Sequence, residues 1–299
     1  MKKNILLFSL IVFLFQICIG KEMNVLTIGN SFTDSLKEYL PKVAQSDPDV
    51  KLVFERANFG GCSLDRHWSY IEKEESDKSL KIYRGGNQTL RYILQSKKWD
   101  IVTIQQVSHK SWMPETYFPY AQNIYNYIKK YAPQAEIIIQ QTWSYRCDDG
   151  RLNNGVWKIT QDEMYERLTS AYIEASKKLG TRIIPTGLAV QIARKNQPYS
   201  YKPYDKKLAK KLLPPDLPEL AGALVGRFAW NKNKDGKMIF VDDTIHLSDR
   251  GKYLQACLWY GFIFNKDPRT IKFEPKTISS DDAKFLRESA AKALEIGIK

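Results

Sequence analysis

Histidine and cysteine are scarce in this chain, with three and four copies among 299 residues. His67, His109 and His246 share no metal-ligand spacing, so the sequence gives no structural zinc signature. Beyond the N-terminal segment the cysteines are Cys62, Cys147 and Cys257. This odd number excludes a fully paired disulfide scaffold within one chain. A Cys62–Cys147 bridge is compatible with an oxidising compartment, but no feature of the sequence requires it. Cys257 falls in an apolar helical stripe, as a small core residue would. Acidic side chains are also in deficit, 33 against 46 Lys and Arg. No internal repeat or low-complexity tract is present. Past the N-terminus no apolar run approaches the roughly 20 residues that a membrane-spanning helix needs. At 43% hydrophobic residues the chain can build a full core, which sets it apart from disordered sequences.

The first residues have a different composition. Lys2 and Lys3 precede an apolar run from Ile5 to Phe15, followed by the small residues Cys18 and Gly20. This is the layout of a secretory signal peptide over residues 1–20, and it predicts cleavage near Gly20 and export to the periplasm or beyond. Cys18 as a lipoprotein cysteine is the alternative, disfavoured because Phe15, Gln16 and Ile17 supply no small residue before it. Cleavage removes Lys2 and Lys3 and lowers the net charge from +13 to +11. Such a surplus favours acidic partners. For an exported protein these are polysaccharides or envelope glycans, since no nucleic-acid-binding motif is present. A solvated basic surface is the plainer reading of the same charge.

Apolar, β-rich runs bounded by turn residues occur at Val25–Ile28, Lys51–Phe54, Ile101–Ile104, Ile137–Ile139 and Arg182–Ile184. Helical periodicity separates them. It is carried by Tyr117, Tyr120, Ala121, Ile124, Ile128 and Tyr131, and then by Met164, Leu168, Ala171, Tyr172, Ala175 and Leu179. Thr160 and Glu163 form a capping box ahead of the second stripe. Strands alternating with helices predict an α/β fold, a three-layer doubly wound domain around a five-stranded parallel sheet. Residues 196–242, punctuated by five prolines and rich in lysine, read as an insertion in a single domain spanning 21–299. Helix resumes after Ser248, and a last helix covers about 281–294.

Four segments could carry chemistry. Gly29-Asn30-Ser31-Phe32-Thr33 ends the first strand and opens a helical pattern from Ser35 to Gln45. At the carboxyl edge of a doubly wound sheet, a serine there stands where ligands bind, with its own N–H near a helix start. The same serine would also serve as a plain helix cap. Asp243 and His246, in Asp242-Asp243-Thr244-Ile245-His246-Leu247-Ser248, offer a base and the carboxylate to orient it. Their spacing of three suits a short loop that presents both. Asn58-Phe59-Gly60-Gly61-Cys62-Ser63 follows the second strand, where glycine lets backbone approach a ligand. Gln105-Gln106-Val107-Ser108-His109 follows the third, where an amide side chain can donate a hydrogen bond. Beyond the fourth strand, Gln141, Trp143 and Tyr145 would stand at the same rim, with aromatic faces suited to sugar stacking or to a lid over the core.

In chain order the four segments, serine, glycine, amide and Asp-x-x-His, resemble the blocks of the SGNH hydrolases, over about residues 23–265. The wording GNSFT, GGCSL, QQVSH, QTWSY and DDTIHLS is most similar to a bacterial branch, frequent in gut Bacteroidetes, described only as a domain of unknown function. The resemblance implies a Ser-His-Asp triad of Ser31, His246 and Asp243. It implies an oxyanion hole of the Ser31 and Gly61 amides and a side chain from the third block. That block departs from the usual Gly-x-Asn-Asp. Gln106 is the expected donor in place of asparagine, with Gln105 or Ser108 as alternatives.

The sequence therefore predicts a serine esterase that needs neither cofactor nor metal and cleaves small acyl esters. The substrate expected is an O-acetylated polysaccharide, an acidic one included. A non-catalytic glycan-binding or envelope-assembly protein on the same fold is the second reading, and lipid or thioester hydrolysis a lesser one. One rival motif, Asn231-Lys232-Asn233-Lys234-Asp235-Gly236 with Asp242, imitates calcium-loop spacing but lacks helical flanks. A hairpin turning at Asp235-Gly236 accounts for it more simply. The sequence does not specify an oligomeric state.

Overall fold

The computed structural model describes residues 20–209 and 211–298. The expected signal peptide and Cys18 therefore lie outside the described residues, Gly20 excepted.

Five strands form one parallel sheet: β1 (Lys21–Ile28), β2 (Val50–Arg56), β3 (Ile101–Ile104), β4 (Glu136–Gln140) and β5 (Arg182–Ile184). Their spatial order is β2-β1-β3-β4-β5. The second half of β1, all of β3 and most of β4 are buried on both faces. That is why these strands read as unbroken apolar runs rather than alternating ones. The register pairs Val25 with Phe54 on one side and with Ile101 on the other.

Short helices α1 (Ser31–Asp34) and α2 (Leu40–Gln45), with a 3-10 turn at Ser35–Lys37, connect β1 to β2. The single helix expected from Ser35 to Gln45 is thus broken. Pro41 falls in the first turn of α2, where its missing N–H is no loss, but it could not continue a helix from above. Helices α3 (Leu64–Ser76), α4 (Tyr83–Gly86) and α5 (Leu90–Gln95) lead to β3, α6 (Tyr120–Tyr131) to β4, and α7 (Gln161–Leu179) to β5. The Thr160–Glu163 capping box opens α7 as expected.

After β5 come α8 (Thr186–Asn196), α9 (Lys206–Ala209), α10 (Asp249–Phe264) and α11 (Ser280–Ile296). Helices α3, α5, α6 and α7 pack as one group, and α2, α8, α10 and α11 as another. Right-handed crossovers in this strand order require that division, with the β1-to-β2 connection on one face and the next three on the other. Helix α10 lies between α2, α8 and α11 and touches β1, so nearly every residue from Tyr253 to Phe264 is buried.

The expected insertion at 196–242 ends in an antiparallel hairpin, β6 (Val225–Lys232) and β7 (Met238–Leu247). Asn233 Oδ1 accepts the N–H groups of Asp235 and Lys237 to close its turn. The hairpin reading of this motif therefore holds. β7 continues past residue 242 and carries Asp243 and His246, so the short loop expected for that pair is instead the end of a strand.

Candidate active site

In a sheet ordered β2-β1-β3-β4-β5 the chain leaves β1 toward β2 on one side and later returns to β3 on the other. This opens a crevice beyond the carboxyl ends of β1 and β3. The Gly29–Thr33 turn fills that position. Asn58 Oδ1 accepts the Gly29 N–H at 2.8 Å. The Gly29 carbonyl accepts from His67 Nε2 at 2.9 Å and from the Phe59 N–H. Asn30 Oδ1 caps α1 by accepting the Phe32 N–H, while its Nδ2 donates to the Cys62 carbonyl at 3.0 Å. The serine turn and the Gly60–Cys62 loop are thus tied by one buried asparagine.

The structure brings Ser31, His246 and Asp243 together across a separation of 215 residues. His246 Nε2 lies 2.8 Å from Ser31 Oγ, and its Nδ1 lies 2.8 Å from Asp243 Oδ2. The carboxylate fixes the tautomer: Nδ1–H donates to Asp243, leaving Nε2 to accept from the serine hydroxyl. The other oxygen of Asp243 accepts the N–H groups of Ile245 and His246 at 3.0 and 3.1 Å. Burial pushes the Asp243 carboxyl up. The hydrogen bonds from the His246 ring and the two backbone amides outweigh that and hold it well below the usual carboxylate range.

Asp243 and His246 reach the same point because the hairpin is irregular. Val225 pairs with Leu247 and Arg227 with Asp243, so Gly226 alone faces Thr244, Ile245 and His246. This bulge turns the imidazole toward Ser31. The strand is anchored from beneath. Arg146 donates to Asp242 Oδ1 at 2.7 Å and to Asp148, and Tyr204 and Tyr201 hydroxyls donate to the same two carboxylates. The Arg146 guanidinium lies between the Tyr201 and Phe228 rings.

The aromatic residues expected at the rim belong to the interior. Trp143 and Tyr145 are 0% and 1% exposed. Trp143 stacks on Phe32 with ring centroids 4.2 Å apart, and its indole N–H donates to the Ile245 carbonyl at 2.9 Å. Phe32 in turn meets the His246 ring edge-on at 5.5 Å. The Tyr145 hydroxyl pairs with Ser108 Oγ. Gln141 is buried, donating to Thr169 Oγ1 and accepting the Leu188 N–H. These three are therefore corrected from substrate contacts to supports of the site, because α7, α8 and the end of β7 cover the chain that follows β4.

Gln106 is corrected too. Its Oε1 accepts the N–H groups of Leu64 and Val107, and its Nε2 donates to the backbone and hydroxyl oxygens of Thr116 at 3.0 and 3.1 Å. The saturated, fully buried carboxamide braces three loops and has no donor left for an oxyanion. Ser108 is likewise engaged. Gln105 accepts from Thr33 Oγ1, and its buried Nε2 has no partner among the described residues. The Ser31 and Gly61 amides make no backbone hydrogen bond among the described residues.

Sequence reasoning missed His67, Asn30, Asn58 and Arg146. Burial lowers the His67 imidazole to about 4, against the opposing pull of its bond to Gly29, so the ring is neutral. Only Asn30 left a readable signal, as a capping residue before a helix. Among the described residues the cysteines are free thiols, and burial pushes Cys62 and Cys257 up to about 12. The Cys62–Cys147 bridge that the sequence left open is not formed.

An open cleft of about 640 Å³ includes Ser31, Asp243 and His246 in its lining. Among the described residues no helix is long and apolar enough to cross a membrane.

Comparison with known proteins matches the Domain of unknown function DUF4886 over residues 24–207, more than half the chain. The chain is similar to the crystal structure of a DUF4886 family protein from Bacteroides uniformis ATCC 8492. The two share 22% identity and a TM-score of 0.71, covering 92% of this chain and 95% of that one. A candidate SGNH hydrolase from Slackia heliotrinireducens aligns at 18% identity and TM-score 0.46, over 79% of this chain and 96% of that one. A candidate GDSL-like lipase from Parabacteroides merdae ATCC 43184 aligns at 15% and 0.47, over 83% and 98%. No curated protein sequence matches. With its five-stranded parallel sheet the chain has a doubly wound α/β fold like that of the Bacteroides uniformis structure, and it belongs to the DUF4886 family.

Proposed function

We propose that this chain is an exported serine esterase that removes small acyl groups, O-acetyl above all, from a carbohydrate. The observation that carries the reading is the relay of two 2.8 Å contacts from Asp243 through His246 to Ser31. Ser31 Oγ attacks the ester carbonyl while His246 Nε2 takes its proton. The tetrahedral oxyanion is held by the Ser31 and Gly61 amides. As the ester C–O bond breaks, His246 returns the proton to the leaving alcohol oxygen. Water, deprotonated by the same imidazole, then releases the carboxylic acid and restores Ser31. Asp243 remains ionised throughout, because its hydrogen bonds favour the charged form.

The test is purified protein against p-nitrophenyl acetate and a fluorophosphonate probe. Wild type should turn over the ester and carry the probe on Ser31, and folded Ser31→Ala should do neither. Retention of wild-type turnover by Ser31→Ala would remove the assignment. Export is tested by the N-terminus of the protein recovered outside the cytoplasm, expected at Lys21.

One observation favours a second reading. Saturation of Gln106 leaves the site with two backbone donors and without the third-block donor expected from the sequence, which suits a glycan-binding protein that has kept the fold. Glycan binding without labelling or turnover would select it.

A further inference from the structure

The cleft beside Ser31 is positively charged on one side of the nucleophile, and the reaction geometry says which half of an ester that side receives. In acyl transfer the carbonyl oxygen turns toward the oxyanion amides, while the leaving oxygen must face the imidazole that protonates it. The cleft contains His246 and Asp243 in its lining and no residue of the Asn58–Ser63 loop, which bears the Gly61 amide. It therefore lies on the leaving-group side and takes the alcohol half of the substrate.

The charges lining it do not cancel. Asp34 is paired with Arg56 and Glu38 with Lys252, while Asp243 keeps its single negative charge beside the neutral His246 ring, one anion against the three cations that follow. Lys37, Lys42 and Arg227 line the same cleft, and none of the three forms a salt bridge among the described residues. They come from separate elements. Lys37 lies in the 3-10 turn after α1, Lys42 in α2, and Arg227 on β6 opposite Asp243 in the register. All three side chains are exposed, so they are available to a ligand. Lys42 also sits over the Tyr39 ring at 5.5 Å, which holds its stem against the wall.

From this arrangement we infer that the substrate is an ester whose alcohol half carries a negative charge, such as the carboxylate of an acylated uronic acid. Lys37, Lys42 and Arg227 bind that charge. The inference rests on the esterase reading and adds to it the location of the charge.

Three acyl esters separate these ideas: 4-acetoxybenzenesulfonate, anionic on the alcohol half; 4-nitrophenyl acetate, neutral; and 4-nitrophenyl hydrogen succinate, anionic on the acyl half. The measured quantity is kcat/KM of the Lys37→Gln/Lys42→Gln/Arg227→Gln protein relative to wild type, ester by ester. This comparison cancels their different intrinsic reactivities. For the sulfonate that ratio should fall about tenfold, mostly through KM, and several times further than for the other two esters, as expected for a few partly screened charges. Wild-type preference for the sulfonate should also shrink between roughly 20 and 500 mM salt, as the Debye length contracts. Probe labelling of Ser31 in the triple variant reports that its site is intact. Equal losses on all three esters, or an equal loss on the succinate, would overturn the inference and leave the esterase standing. Absence of turnover and labelling in wild type would instead bring down the esterase reading, and this inference with it.

Discussion

Asp243 accepts three hydrogen bonds within a span of four residues, from the His246 ring and from the Ile245 and His246 amides. Asparagine keeps the shape but cannot stabilise an imidazolium or reliably hold the tautomer. Asp243→Asn should therefore lower kcat by roughly 10³- to 10⁴-fold with little change in KM. A loss of less than about tenfold would exclude Asp243 as the orienting carboxylate. Trp143 acts one contact further out. Trp143→Phe retains a ring against Phe32 but removes the donor to Ile245, at a cost of about 1 kcal/mol. The urea midpoint should fall and esterase activity with it; an unchanged midpoint and rate would show that the indole N–H holds nothing. His67 is a positioning residue, because its Nε2–H fixes the Gly29 carbonyl two residues before the nucleophile. Its imidazole falls from 6.5 in the unfolded chain to about 4 in the fold. Between those values the unfolded chain binds more protons, so the stability His67 contributes is complete above pH 6.5 and is lost as pH falls toward 4. The full loss is about 3 kcal/mol. Denaturation of wild type and His67→Gln at pH 7 and pH 4.5 should give a flatter pH dependence for the variant, and parallel curves would contradict the assignment.

At the scale of elements, the decisive feature is the bulge that lets one glycine of β6 face three residues of β7. Gly226 has φ 125°, which side-chain-bearing residues rarely adopt, and a Cβ there would lie 2.6 Å from Arg146 Nη1 and 3.2 Å from the Asp243 carbonyl. Gly226→Ala should cost about 1–3 kcal/mol from backbone strain and displace β7 relative to α1, so that activity falls along with stability. Gly236 provides the comparison, since it has φ 78° at the far turn of the same hairpin with open space around it. Gly236→Ala should cost about 1 kcal/mol and leave turnover unchanged. If Gly226→Ala loses stability alone, the bulge supports the hairpin without aiming His246.

For the whole molecule, we propose that residues 21–299 fold as one unit, with the hairpin and α11 integral to it. Ala283, Leu286, Ala290 and Ala293 of α11 are fully buried, in a helix packed on α8 and α10. Arg250 of α10 makes a two-pronged bond to Asp282 at 2.6 and 2.7 Å. Calorimetry should accordingly give one cooperative transition, and truncation before Ser280 should yield protein without one. Two separable transitions in the intact chain would divide it into domains.

The sequence by itself determined the five strands of the sheet, the helices α6, α7, α10 and α11, and the carboxyl-edge location of the serine. Each of those rests on local information: apolar runs in β1, β3 and β4, a 3.6-residue stripe in α6 and α7, a capping box at Thr160, a Gly-Asn-Ser turn at the end of a strand. Asp243 and His246 stood out through residue type and spacing, although their setting on a bulged strand did not. Only the tertiary structure decided which polar groups are already satisfied. Gln106 looked like a donor until Leu64, Val107 and Thr116 closed around it. Trp143 and Tyr145 looked like a rim until α7, α8 and the end of β7 covered them. His67 gained its role from a carbonyl 38 residues away. A hydrogen bond has a fixed capacity that distant segments fill, and burial depends on which elements fold over a strand end. Both are properties of the packed chain, and neither has a period or a spacing that a linear sequence can display.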